Sequence, residues 1–287
     1  MKLLNYREGD NICLGIKTEL GILNVAQAAA SIGKILPSNI EQVIAGGENI
    51  LSQLLELIEL KQYMVSEESV VCAPCIMNPE KILCVGLNYF SHGEECNVDI
   101  PKSPALFSKF NNALAAHQQA INLSTYAFKY DYEAELVIVL GKEARNVSKE
   151  DALSYVFGYT VGNDLSARDL QFLTGQWLLG KTCDGFAPIG PYLVTAKDVN
   201  PDNLDISCEV NGTVRQSANT SELIFDCATI ISYVSKYMTL KPGDIIFTGT
   251  PSGVILGQPQ EEQEWLKAGD EIKVSIEKIG TLVNLMI

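Results

Sequence analysis

Tyr130-Asp131-Tyr132-Glu133-Ala134-Glu135-Leu136-Val137-Ile138-Val139-Leu140-Gly141 is the stretch on which the reading of this chain turns. Asp131, Glu133, Glu135, Val137 and Val139 share one parity, and Tyr132, Ala134, Leu136, Ile138 and Leu140 share the other, the period of two that marks a β-strand. One face is apolar throughout. The other begins with carboxylates and turns apolar after Glu135, so Glu133 and Glu135 point the same way, roughly 7 Å apart along the strand. Two carboxylates aimed at one volume repel each other unless a cation lies between them or one keeps a proton. Hard divalent ions take oxygen ligands of this kind. A solvated strand face on an acidic protein gives the same pattern, and the stretch alone leaves both readings open.

Working outward, 287 residues suffice for a sizeable core in one large domain or two of ordinary size. With 47% hydrophobic and 20% charged residues, the chain is neither disordered nor fibrous. A net charge of −14 argues against a nucleic-acid backbone or an anionic membrane surface as partner. An anionic substrate then needs local help from a metal ion or from placed Lys and Arg residues. No apolar h-region follows Met1 and no apolar run approaches the length that spans a bilayer, so a cytoplasmic protein is expected. Cys13, Cys72, Cys75, Cys84, Cys96, Cys183, Cys208 and Cys227 accordingly read as reduced thiols. Cys72-Ala73-Pro74-Cys75 is a lone CxxC in a chain with two histidines, too few partners for structural zinc.

In chain order, Lys2–Tyr6 and Ile12–Thr18 read as short strands joined by a Gly-Asp-Asn turn. Helical patterning follows in Val25–Ala30 and Ile50–Ile58. This unit has no convergent carboxylates and predicts a small N-terminal α/β domain over 1–75, with a second domain over 76–287. Lys81–Leu87 suits a buried strand that delivers Asn88–Glu95 to the surface, and Ala105–Lys109 reads as another strand. Ser148-Lys149-Glu150-Asp151 resembles a capping box opening a helix through Tyr155. Leu-Lys-x-Gly-Asp occurs at Leu240 and again at Leu266, two similar turns in otherwise unlike surroundings. Many strands, few helices and frequent Gly turns predict an α+β fold built on a largely antiparallel sandwich or roll. No GxGxxG joins a strand to a helix, so a Rossmann reading has no support.

Val161–Gln171 leaves a strand and enters a helix. With Asp164 at the turn, Arg168 and Gln171 fall on its face at i+4 and i+7. A third carboxylate beside Glu133 and Glu135 would complete an oxygen cage with positions left for substrate and water. An ordinary capped helix with an ion pair fits the same spacing. Glu95 follows His92 by three residues, so on a helical turn it can accept a hydrogen bond from the imidazole and raise its basicity. An exposed loop histidine is the alternative, and His117 reads as structural. Lys109 and Lys181 each follow apolar runs and are candidates to meet a substrate carboxylate or enolate. Gly249-Thr250-Pro251-Ser252-Gly253 ends a strand in a tight loop whose hydroxyl and amides suit the same anion.

Taken together, Val85–Tyr89 with His92 and Glu95, Phe107–Lys109, Asp131–Leu136, Gly158–Thr160 with Asn163–Gln171, Gly180-Lys181, Gly190-Pro191 and Thr248–Val254 resemble the fumarylacetoacetate hydrolase superfamily over about residues 80 to 287. The resemblance implies a mixed β-sandwich roll, a homodimer, and Mg²⁺ or Mn²⁺ held by Glu133, Glu135 and Asp164. It also implies His92 and Glu95 as a water-activating dyad on a lid, Lys181 as catalytic lysine, and Arg168, Gln171 and Thr250 as ligands of a 2-oxo acid. Phe110 stands where a Pro is usual, and Thr182-Cys183-Asp184-Gly185 departs from the usual Ser-x-Asp-Thr, both near the expected pocket. The expected reaction is hydrolytic C–C cleavage of a 2,4-dioxo acid through an enolate. Decarboxylation of oxaloacetate, isomerisation of an unsaturated 2-oxo diacid and a non-catalytic metabolite binder are the alternatives.

Overall fold

The computed structural model describes residues 1–95 and 101–287; Cys96 lies outside the described residues. Among these, ten strands run side by side in the order Met64–Val65, Gly21–Asn24, Asn11–Thr18, Lys2–Glu8, Leu193–Thr195, Val156–Asn163, Ala134–Leu140, Ile245–Phe247, Ile82–Gly86 and Ala105–Lys109. An eleventh, Val71–Cys72, pairs with Lys2–Glu8 off this path. Neighbours are antiparallel except Ile245–Phe247 on Ile82–Gly86, which run parallel, so the sheet is mixed. A second sheet of four antiparallel strands, Thr213–Asn219, Asp205–Val210, Glu271–Ile276 and Gly280–Leu285, packs against it.

The alternation in the opening stretch sorts the core. Leu136, Ile138 and Leu140 belong to the cluster between the two sheets, with Ile206, Val274 and Leu282. Val137 and Val139, of the carboxylate parity, belong to a second cluster with Leu3, Leu23, Val43, Leu54 and Leu57 of the N-terminal unit. The acidic face therefore becomes apolar where the N-terminal helices cover it. The principal helix of that unit is Ile40–Ile58, longer than its sequence signal. Its apolar residues recur at threes and fours, the Asn39 side chain caps it by accepting from Gln42 N–H at 2.9 Å, and Gly47 kinks it with φ 59°. The large sheet and the second core both run across residues 75 and 76.

The two Leu-Lys-x-Gly-Asp segments form matching turns. Asp244 accepts from Lys241 N–H at 2.7 Å and Asp270 from Lys267 N–H at 2.8 Å, with Gly243 at φ 86° and Gly269 at φ 96°. Three local expectations are corrected. The stretch from Tyr130 is two strands, Tyr130–Asp131 and Ala134–Leu140. At the break, side chains replace the sheet ladder: Asn163 accepts from Glu133 N–H at 2.9 Å and Gln216 from Ala134 N–H at 3.0 Å. The segment after Ser148 makes only a 3₁₀ turn, Ala152–Tyr155, its backbone going directly into the strand at Val156. Asn88 and Tyr89 are fully buried and His92 nearly so, because Asn88 is clamped by Phe225 and Thr248 instead of facing solvent.

Candidate active site

Three strand ends and three short helices converge here. Glu133 sits in the break before Ala134–Leu140, Glu135 is the second residue of that strand, and Asp164 follows Val156–Asn163. Asp164 N–H donates to Glu133 C=O at 2.9 Å, which locks the two turns together. All three carboxylates are buried, and one oxygen from each lies within 4.8 Å of the others. Glu135 accepts from Gly249 N–H at 2.7 Å. Gly249 makes this approach with φ 106°, and a Cβ there would lie 2.7 Å from the Asn88 Cβ, so both conformation and space call for glycine.

The charges are unevenly matched. Burial opposes ionisation of Glu133, but Lys181 and Arg168 outweigh it and hold that carboxyl below its usual range. Burial, with Asp164 and Glu133 adding to it, pushes the Glu135 carboxyl well above its usual range. Among the described residues, Asp164 Oδ1 has no hydrogen bond of good geometry, although Lys109 Nζ lies 2.5 Å away. Three buried carboxyl groups converging within 4.8 Å, one of which resists ionisation, are a donor set suited to a hard divalent cation. Glu133, Glu135 and Asp164 together could hold a metal ion.

Lys181, at the end of the helix Leu178–Lys181, bridges Glu133 at 2.6 Å and Asp164 at 3.0 Å. Burial works against its charge, but the two carboxylates prevail and raise its pKa, so it is an ammonium. Lys109 stands elsewhere than expected. It donates to Leu165 C=O at 3.0 Å and Phe186 C=O at 2.6 Å behind Asp164, and it does not line the cavity. Asp164 is not on the helix that carries Arg168 and Gln171, which begins only at Arg168 after the short strand Ser166–Ala167. The i,i+4 ion pair of the alternative, capped-helix reading is therefore absent among the described residues. Arg168 instead donates from Nε to Asp131 at 2.9 Å, from Nη1 to Gln171 Oε1 at 2.9 Å, and pairs through Nη2 with Glu133 at 2.7 Å. Gln171 Oε1 is thereby occupied, and the side chain lies on the cavity lining with its amide N–H₂ as the other end. Thr250 accepts from Gln216 Nε2 at 2.8 Å, which leaves its O–H to donate.

Asp131 is the site residue that parity displayed and the resemblance passed over. It is fully buried, and besides Arg168 it accepts from Ile255 N–H at 2.9 Å and Leu256 N–H at 3.0 Å. His92 and Glu95 lie on the helix Phe90–Glu95 with Nδ1 and Oε2 3.4 Å apart, and Glu95 also accepts from Gly253 N–H at 2.9 Å. The site opens on one cavity of about 480 Å³, which Asp131 and Asp164 do not line. Its lining includes His92, Glu95, Glu133, Glu135, Arg168, Gln171, Lys181 and Thr250, with Leu87, Phe107, Phe172, Trp177 and Leu256 around them.

Comparison with known proteins matches this architecture. The family described as fumarylacetoacetate (FAA) hydrolase C-terminal matches residues 81–286. The fumarylacetoacetate hydrolase domain-containing protein 2 homolog of Dictyostelium discoideum is 42% identical over 298 residues, covering 94% of this chain and 96% of that protein. Oxaloacetate tautomerase Fahd2a, mitochondrial, of Rattus norvegicus is 40% identical over 254 residues, 88% of this chain and 80% of that one. Among solved structures, a fumarylacetoacetate hydrolase from psychrophilic Exiguobacterium antarcticum superposes with a TM-score of 0.83 at 31% identity, covering 100% of this chain and 99% of its own. A maleylpyruvate hydrolase from Sphingobium sp. SYK-6, in complex with manganese(II) ion and pyruvate, gives 0.81 at 28% identity over the same shares. The family match over residues 81–286 and relatives up to 42% identical show that the chain belongs to the fumarylacetoacetate hydrolase family.

Proposed function

We propose that this protein catalyses proton transfer next to the carbonyl of a small anionic 2-oxo acid, the keto–enol interconversion of an oxaloacetate-like diacid. The observation that carries the reading is that the His92–Glu95 pair, Lys181 and its partner Glu133 line the same cavity. A proton acceptor and a seat for developing negative charge thus meet one small molecule. The relatives whose names specify oxaloacetate tautomerase are more similar to this chain than the hydrolases among the solved structures, which favours this reaction over the hydrolysis expected from sequence.

Glu133, Glu135 and Asp164 would hold Mg²⁺ or Mn²⁺, which when bound offsets the charge that develops on the 2-oxo oxygen. With Arg168 committed to Asp131 and Glu133, the substrate carboxylate falls to the Gln171 amide and the Thr250 hydroxyl. In the keto-to-enol direction His92 takes the proton from the carbon beside the carbonyl and gives it up to the 2-oxo oxygen to complete the enol, the reverse transfer regenerating the keto form, while Glu95 holds the imidazole tautomer. The electron pair of the broken C–H bond forms the C=C bond of the enol as the carbonyl π pair moves onto the 2-oxo oxygen, near the Lys181 ammonium. Cleavage of a 2,4-dioxo acid is the second reading, supported by the aromatic and aliphatic lining beyond the carboxylates, which gives room for an acyl group. In that reaction His92 takes a proton from water as the water oxygen adds to the distal carbonyl, the broken C–C bond's electrons form the C=C bond of an enolate whose charge rests on the 2-oxo oxygen, and the proton held by His92 passes to the enolate carbon.

The reading includes a homodimer, supported by exposed Tyr126, Phe128, Phe172, Leu173 and Leu179, of which Phe128 is tied to Asp169 by a 2.9 Å hydrogen bond. Among the described residues no helix is long and apolar enough to cross a membrane. The test is to follow decay of the oxaloacetate enol by ultraviolet absorbance with Mg²⁺ or Mn²⁺ added, alongside an acylpyruvate cleavage assay. Glu135→Ala should lose metal binding and activity together. His92→Ala should keep metal binding and slow the reaction by about 10² to 10⁴-fold. Full metal-dependent activity in Glu135→Ala would defeat the reading.

A further inference from the structure

The Glu95 carboxylate occupies a seat built by a distant loop. One oxygen accepts from Gly253 N–H at 2.9 Å while the other lies 3.4 Å from His92 Nδ1. Against the same side chain lies Gly257. A Cβ placed there would come 2.2 Å from both Cγ and Cδ of Glu95 and 2.6 Å from its Oε1. Contacts that short do not occur, so any side chain at position 257 must drive the carboxylate away from where it sits.

The seat is registered to the carboxylate triad. Ile255 and Leu256 donate their backbone N–H groups to the two oxygens of Asp131 at 2.9 and 3.0 Å. Asp131 grips Arg168 at 2.9 Å, and Arg168 reaches Glu133 at 2.7 Å. Gly253 belongs to the loop's own construction, since it has φ 102° and the Arg215 carbonyl would lie 2.0 Å from a Cβ there. Gly257 differs. It is not among the positive-φ glycines, so alanine fits its backbone and only the space is at issue.

We propose that Gly257 is a positioning residue whose bare Cα, with the Gly253 N–H, seats Glu95 and so sets the His92–Glu95 pair in register with the triad. Its catalytic consequence rests on the function proposed above; the seat itself does not. Because the clash falls on the tip of a flexible side chain, Gly257→Ala displaces Glu95 and leaves the fold intact.

The test is a cycle of Gly257→Ala, Glu95→Asp and the double variant. The double variant adds a methyl group and removes a methylene from the same space, so it conserves volume. Two measurements are made: turnover of the oxaloacetate enol with Mn²⁺ present, and amide hydrogen exchange at Gly253. Gly257→Ala should lower kcat by about tenfold or more, with Mn²⁺ affinity and KM little changed, and should speed exchange at Gly253. The double variant should be more active than Gly257→Ala alone and recover protection at Gly253. Unaltered exchange and kcat in Gly257→Ala would overturn the proposal, as would losses that simply multiply in the double variant. If the wild type turned over no 2-oxo acid while Gly257→Ala still speeded exchange, the functional reading would fall and the seat would stand.

Discussion

Asp131 shows how a single residue joins parts of the site that lie far apart in sequence. Its partners are Arg168, 37 residues on, and Ile255 and Leu256, 124 and 125 residues on. Removing it strands a buried guanidinium beside Glu133 and frees two backbone donors. Asp131→Ala should therefore cost about 3–5 kcal/mol in urea unfolding, as expected when one partner of a buried pair is deleted. A loss below about 1 kcal/mol would mean that Arg168 finds its full complement elsewhere. The cysteines make a second case. Burial, only partly relieved by Thr160, pushes the Cys75 thiol up to about 12, and burial raises Cys84 and Cys227 as well. A raised thiol pKa means little thiolate at ordinary pH, so native protein at about pH 8 should leave these three unalkylated until urea exposes them. Rapid native labelling at any of them, located by mass spectrometry, would contradict their burial.

At the scale of elements, periodicity was a good guide where a segment packs on one partner and a poor one where it changes partner. Leu136 to Leu140 alternate as expected because two cores lie on opposite faces of one strand. The preceding residues keep the parity but leave the sheet, since Tyr130–Asp131 pairs with Ser166–Ala167 instead. Nothing local announces that switch. The helix Ile40–Ile58 likewise begins ten residues before its clearest apolar repeat, at an asparagine cap. Asn39→Ala removes the acceptor for Gln42 N–H and should destabilise the protein by about 1 kcal/mol, read from the denaturant midpoint. Asn39→Ser should recover most of the loss, and equal destabilisation by both would show that the side chain acts through packing.

At the scale of the whole molecule, the two sheets and the N-terminal helices surround a triad of buried carboxyl groups that the fold must hold together. A divalent ion that binds only the folded state adds stability by mass action. Mn²⁺ at a hundredfold its Kd should contribute about 2.7 kcal/mol, seen as a rise in Tm that Glu135→Ala abolishes. A rise that persists in the variant would place the ion elsewhere. Much of this organisation was legible in the chain itself. Strand parity, the paired Leu-Lys-x-Gly-Asp turns and the ordered motifs pointed to the roll and to Glu133, Glu135 and Asp164, because these signals are local or repeat along the sequence. What only the tertiary structure decided is which charges neutralise which. Lys109 is behind Asp164, Arg168 is held by Asp131 and Glu133, and Glu95 sits on Gly253 and Gly257. Those pairings depend on distances across the fold, where electrostatics and excluded volume act through space and leave no period in the sequence.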